Sequence, residues 1–117
     1  MFGGIIVHGD HVGKGLGFPT ANLDVKKNDI KLGPGVYACY AWLNKKKYQS
    51  ALAIQSTTWK VEVHLLDYDG EDFYGKYLEI EPVQKISEMQ EFGSEEDLRE
   101  KIKEDVEKVR ELLENRH

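Results

Sequence analysis

A small closed β-barrel with one helix at its C-terminal end is the fold this sequence predicts, and three observations lead there. Up to about residue 86, apolar residues fall in short runs rich in Val, Ile, Tyr and Trp, broken by Gly, Pro, Asn and Asp. From Ser94 onward they recur at steps of three and four instead. The chain has 117 residues with 40% hydrophobic content and no dividing linker, enough for one core. A single domain over 1–117 is expected, with the barrel at about 1–90 and the helix at about 94–115.

The strand candidates, in order, are "GGIIVHG", "GVYACYAWL", "KYQSALAI", "WKVEVHLLDY" and "KYLEIEPVQKI". The extended stretch "FPTANLD" lies between the first two. Turn signals separate them at "NDIKLGPG", "NKKK" and "DYDGED". Five or six short antiparallel strands are best closed into a barrel, because closure leaves no edge free to pair with another chain. Lys45, Lys46 and Lys47 read as a solvated hairpin tip.

In "SEEDLREKIKEDVEKVRELLE" the stripe is Leu98, Ile102, Val106, Val109 and Leu113, with charge elsewhere. Ser94 and Asp97, three apart, form a capping-box signature, and Glu95 and Glu96 suit the positive end of the helix dipole. The stripe needs no role beyond packing on the barrel.

Bulk properties narrow the function. Acidic residues number 21 against 16 basic, for a formal charge of −5, and no basic stripe interleaved with aromatics is present. Nucleic acid is therefore not expected as a partner. Cys39 is the only cysteine, and no apolar run is long enough for a membrane span or signal segment. A cytoplasmic protein without a membrane partner is expected. An acidic protein that handles phosphate needs local donors or a divalent cation to offset its own field.

The loop "GDHVGKGLG" carries Gly9, Gly13, Gly15 and Gly17 around Lys14, a composition that lets backbone N–H groups and a cation approach phosphate. It matches neither a Walker A loop nor a dinucleotide fingerprint: His8 stands where the first needs Gly, and Gly17 arrives one residue early for the second. On its own it reads more readily as a flexible hairpin than as a phosphate cradle. His8 and His11 form an H-x-x-H pair, which is read here as short of the ligands that a transition-metal site needs.

Pro19 fixes its own φ and pushes Phe18 out of the α region, so Thr20 enters an extended segment. Thr20 and Asn22 then share one side and Ala21 takes the other. A hydroxyl oxygen and an amide oxygen one pleat apart suit Mg²⁺ that arrives already bound to nucleotide phosphates; the alternative is local turn capping. In "KVEVHLL", alternation puts Val61, Val63 and Leu65 on one face and Glu62, His64 and Leu66 on the other. Glu62 is a candidate general base or a residue of a wet strand face, and His64 either orients it or stands by.

Together, "VHGDHVGKGLGFPTANL", "VEVHLLDYDGEDFYGK" and "EMQEFGSEEDLREKIKEDVEKVRELL" resemble the riboflavin kinase (flavokinase) family over nearly the whole chain. The resemblance implies a six-stranded Greek-key barrel that transfers the γ-phosphate of ATP to the terminal ribityl hydroxyl of riboflavin, giving FMN and ADP with Mg²⁺ as cofactor. By position it implies Glu62 as the catalytic carboxylate, and Thr20 and Asn22 at the metal. It places the nucleotide against His8, Gly9, Gly13, Lys14, Gly15, Gly17, Pro19, Thr20, Phe73, Tyr74 and Lys76. Glu88 and Phe92 would border the flavin.

The sequence departs from the family pattern in the short connection "ALAIQSTTWK" and in Ser87 and Gln90, where basic residues are usual. Bacterial relatives often carry an adenylyltransferase domain ahead of the kinase; a free-standing or excised kinase that makes no FAD is expected here, acting as a monomer. A non-catalytic flavin- or nucleotide-binding barrel of the same descent, and a barrel that binds no ligand, are the other classes open.

Overall fold

The computed structural model describes residues 1–8, 20–68, 73–89 and 93–114, the side chain of Glu95 apart. They form six strands, β1 (Phe2–Val7), β2 (Thr20–Asp24), β3 (Gly35–Leu43), β4 (Lys46–Gln55), β5 (Lys60–Leu65) and β6 (Tyr77–Ser87), and the helix α1 (Glu95–Glu114). Every strand pair is antiparallel, and the barrel closes in the order β1-β2-β5-β4-β3-β6. Strands β3, β4 and β5 follow one another as hairpins, and β6 returns to lie beside β3. This is the Greek-key arrangement. The seam joins β1 to β6, with Phe2 opposite Ile80 and Ile5 opposite Tyr77.

Two cores follow from strand alternation. Ile6, Ala21, Leu23, Cys39, Leu52, Ile54, Val61, Val63, Leu65, Leu78 and Ile80 fill the barrel. Burial there pushes the Cys39 thiol well above its ordinary range, so it stays protonated and inert. On the outside, Val36, Ala38, Ala51 and Leu66 form a shallow apolar floor on which Val106, Val109 and Leu113 of α1 pack. Alanines in that floor let the helix come close, and each buried helix side chain contributes about 1.5–3 kcal/mol.

The backbone N–H of Asp97 donates to Ser94 Oγ at 3.1 Å, the cap the sequence predicts. The expectation that charge lies only away from the helix stripe needs correction. Asp105 is buried at 4% exposure and Lys101 is half-buried. Lys101 Nζ donates to both Asp105 carboxylate oxygens at 2.7 Å and to Ser87 Oγ at 2.7 Å, while Ser87 Oγ donates to Asp105 Oδ1 at 3.0 Å. This ion pair seats the helix on the end of β6.

The lysine tip is the solvated hairpin turn the charges predict: Lys45, Lys46 and Lys47 are all exposed. Leu43 pairs with Lys46, leaving Asn44 and Lys45 as a two-residue loop with φ of 53° and 67°. Positive φ at both positions is the hairpin geometry that Asn-Gly serves best. Lys47 Nζ stands 4.0 Å from the centre of the Tyr40 ring. Lys45→Gly is expected to stabilise the fold by about 1 kcal/mol by relieving the left-handed strain, read as a higher urea midpoint with an unchanged m-value.

Candidate active site

Strands β2 and β5 lie side by side although more than thirty residues separate them in sequence. Their register sets Thr20 opposite His64, Ala21 opposite Val63, and Asn22 opposite Glu62. Ala21 and Val63 are fully buried in the barrel, so the other two pairs face outward. Directly opposed side chains on adjacent strands have Cβ atoms roughly 5 Å apart. A hydroxyl, an amide and a carboxylate are thus gathered on one outer face, each half-buried. On the far side of β5, Glu62 meets Ala53 and His64 meets Ala51. Both neighbours end at Cβ and leave room beside the polar groups.

The short connection after β4 contributes to this geometry. Gln55 pairs with Lys60 across a tight turn, and Trp59 Nε1 donates to the Val25 carbonyl at 2.7 Å. That bond fastens the β4–β5 turn to the chain leaving β2, and so holds the two site strands together at one end.

His64 neither stands by nor needs Glu62 as its partner: its Nδ1 shares a 2.9 Å hydrogen bond with Thr20 Oγ1. Burial lowers its pKa to about 4 from the ordinary 6.5, against an opposing pull from the Asp105 carboxylate. The imidazole is therefore neutral in the folded protein at neutral pH. Between pH 6.5 and 4 the unfolded chain takes up a proton here that the folded chain refuses. This contribution to stability is full above pH 6.5 and falls by about 3 kcal/mol as pH drops toward 4. Urea unfolding of the wild type and His64→Asn across that range checks it: the difference between them should shrink as the pH falls.

At the end of β1, His8 stacks on Tyr74 with ring centroids 3.8 Å apart. Gly75 N donates to the Ile6 carbonyl and Ile6 N to the Lys76 carbonyl, both at 2.8 Å. His8, Tyr74 and Lys76 therefore lie together where the glycine loop departs. Phe73 differs, since its side chain is buried in the barrel core. Glu88 is exposed and paired with Lys85 at 2.9 Å. Gly9, Gly13, Lys14, Gly15, Gly17, Pro19 and Phe92, and likewise His11 and Gln90, lie outside the described residues.

Sequence reasoning missed Asp105, Lys101 and the Thr20–His64 pairing. The one available signal was the i, i+4 spacing of Lys101 and Asp105 beside the apolar stripe. It also missed Arg110, whose guanidinium donates twice to the Asp67 carboxylate at 2.9 Å and tethers α1 to the residue just past β5. Those bonds hold the Asp67 carboxyl below the usual carboxylate range.

The described residues thus make a Greek-key barrel with an oxygen-rich outer face and one helix buttressing it. A family model described as riboflavin kinase (flavokinase) matches residues 1–113. The chain belongs to the riboflavin kinase family. It is 32% identical over 111 residues to a bifunctional riboflavin kinase/FMN adenylyltransferase of Bacillus subtilis, covering 87% of this chain and 35% of that protein. The chain thus spans about a third of the length of that relative. Among solved structures, riboflavin kinase from Trypanosoma brucei matches 97% of the chain and 76% of its own, with a TM-score of 0.75 and 28% identity. A Streptococcus pneumoniae structure described as a macrolide-efflux protein matches 92% of this chain and 37% of its own, with a TM-score of 0.82 and 27% identity.

Proposed function

We propose that this chain is an ATP-dependent riboflavin kinase domain, transferring the γ-phosphate of ATP to the 5′-hydroxyl of riboflavin to give FMN and ADP. The observation that carries the reading is the pairing of Asn22 with Glu62 on the outer face, next to Thr20 and His64. A carboxylate there can accept the ribityl hydroxyl proton while the neighbouring strand holds the phosphate end. In the step, the hydroxyl oxygen bonds to the γ-phosphorus, the bond from that phosphorus to the β,γ-bridging oxygen breaks, and ADP leaves with the electron pair. The hydroxyl proton passes to Glu62 late in the transfer.

The donor set fits Mg²⁺ delivered with nucleotide. Thr20 and Asn22 offer hard, neutral oxygens. Among the described residues no three His, Cys, Asp or Glu side chains gather to hold a metal on their own. Thr20 and Asn22 would hold Mg²⁺ together with phosphate oxygens, and the ion would supply neutralisation of phosphate charge. Tyr74 and His8, stacked beside the glycine loop, would flank the nucleotide, and Glu88 and Phe92 the flavin. Among the described residues no helix is long and apolar enough to cross a membrane. The proposed setting is the cytoplasm, with the chain acting as a monomer.

Incubation with riboflavin, ATP and Mg²⁺, followed by chromatographic separation of the flavins, tests the reading. FMN and ADP should appear in equal amounts and only with Mg²⁺. Binding of riboflavin or FMN without ADP release would point instead to a non-catalytic flavin-binding barrel.

A further inference from the structure

We propose that His64 is a positioning residue for Thr20: its Nδ1, 2.9 Å from Thr20 Oγ1, accepts the hydroxyl proton and so turns the oxygen lone pairs toward the ligand face. The inference rests on the reading of Thr20 as a ligand of nucleotide-bound Mg²⁺. A hydroxyl that binds a cation must direct its proton away from it, and an uncontrolled Ser or Thr rotor spends much of its time in the wrong orientation. A buried acceptor on the next strand removes that freedom before the ligand arrives.

Three features make His64 such an acceptor. Its strand places it directly opposite Thr20, on the same outer face. It is buried, at 7% exposure, so water does not compete for Nδ1. The third is chemical: a neutral imidazole has one N–H and one bare ring nitrogen, so it can accept at Nδ1. In a neutral ring that proton belongs on Nε2 if Nδ1 is to accept, and which nitrogen carries it is set by the partner of the other.

The test uses the whole chain and the variants His64→Asn, His64→Leu, Thr20→Val and the Leu/Val double variant. Asn keeps a side-chain oxygen near the position of Nδ1, whereas Leu keeps volume alone. Thermal unfolding of each variant establishes that it is folded, and MgADP affinity is read by titration calorimetry, with metal-free ADP as the reference. His64→Leu should weaken MgADP about tenfold and leave metal-free ADP almost unchanged. His64→Asn should recover most of the loss, and the double variant should be no worse than Thr20→Val. Independently of binding, ¹⁵N-resolved imidazole spectra should show His64 as the Nε2–H tautomer.

Wild-type-like MgADP affinity in His64→Leu, additive losses in the double variant, or the Nδ1–H tautomer would each overturn the proposal and leave the kinase reading intact. If His64→Leu does not fold, His64→Asn and the tautomer decide. A wild-type protein that binds no MgADP overturns the kinase reading and the proposal with it.

Discussion

Glu62→Gln is expected to lower the rate of FMN formation by roughly two to four orders of magnitude, the range lost when a general base is removed. Gln keeps the shape and hydrogen-bonding capacity of the side chain but cannot take a proton at neutral pH. Glu62 is half-buried on the outer face, while its neighbours Val61 and Val63 carry the packing inside. The thermal unfolding midpoint should therefore hardly move. Steady-state kinetics distinguishes the roles: a fall in kcat at nearly constant KM for both substrates is the expected result. A rise in KM for MgATP with kcat intact would instead make Glu62 a binding group and overturn its role as base.

Asp105→Ala is expected to cost the fold about 3 kcal/mol or more, the largest stability effect anticipated for any single polar side chain here. The loss would leave the Lys101 ammonium, 12% exposed, without the carboxylate that receives two of its hydrogen bonds. A buried charge stripped of its partner costs more than the pair itself contributes. Replacing both members, Lys101→Met with Asp105→Leu, should therefore regain much of the stability. Urea denaturation of the two variants measures the difference, and equal destabilisation of the single and the double variant would contradict this account.

These two residues show what was legible in the sequence and what was not. The facing of Glu62 could be read because strand alternation is a local property: a carboxylate between two buried valines points away from them. Equally local signals set the bounds of β3, the shared side of Thr20 and Asn22, and the cap at Ser94. Asp105 could not be found that way. A helix stripe predicts which residues face the partner, but not that a charged pair flanking the stripe would be covered by the end of β6. The Thr20–His64 bond depends on the register of two strands far apart in the chain, which only the closed barrel defines. Lys45, Lys46 and Lys47 read as solvated because charge suggests water, and all three are exposed; what the charges could not show is the positive φ that the two-residue hairpin imposes on Asn44 and Lys45. The resemblance groups Phe73 with Tyr74, and their rings do meet edge to face, but Phe73 is buried in the core while Tyr74 is half-buried, a difference that the sequence does not show.

The seam between β1 and β6 bears on how the site can loosen. It joins the beginning of the chain to a strand near residue 80, so it is the pairing whose formation must pay the greatest loop-closure entropy. Fraying would start at this line and next deprive β2 of its outer neighbour, since β1 is all that lies between the seam and Asn22. The amides of β2 should then exchange with solvent ahead of those of β5, which is flanked on both sides by other strands. The amide of the Asn22–Glu62 pair would thus rest on a strand that can open, and its carboxylate on one that stays closed. A ligand bridging the two would act as a clasp on the barrel as well as a substrate.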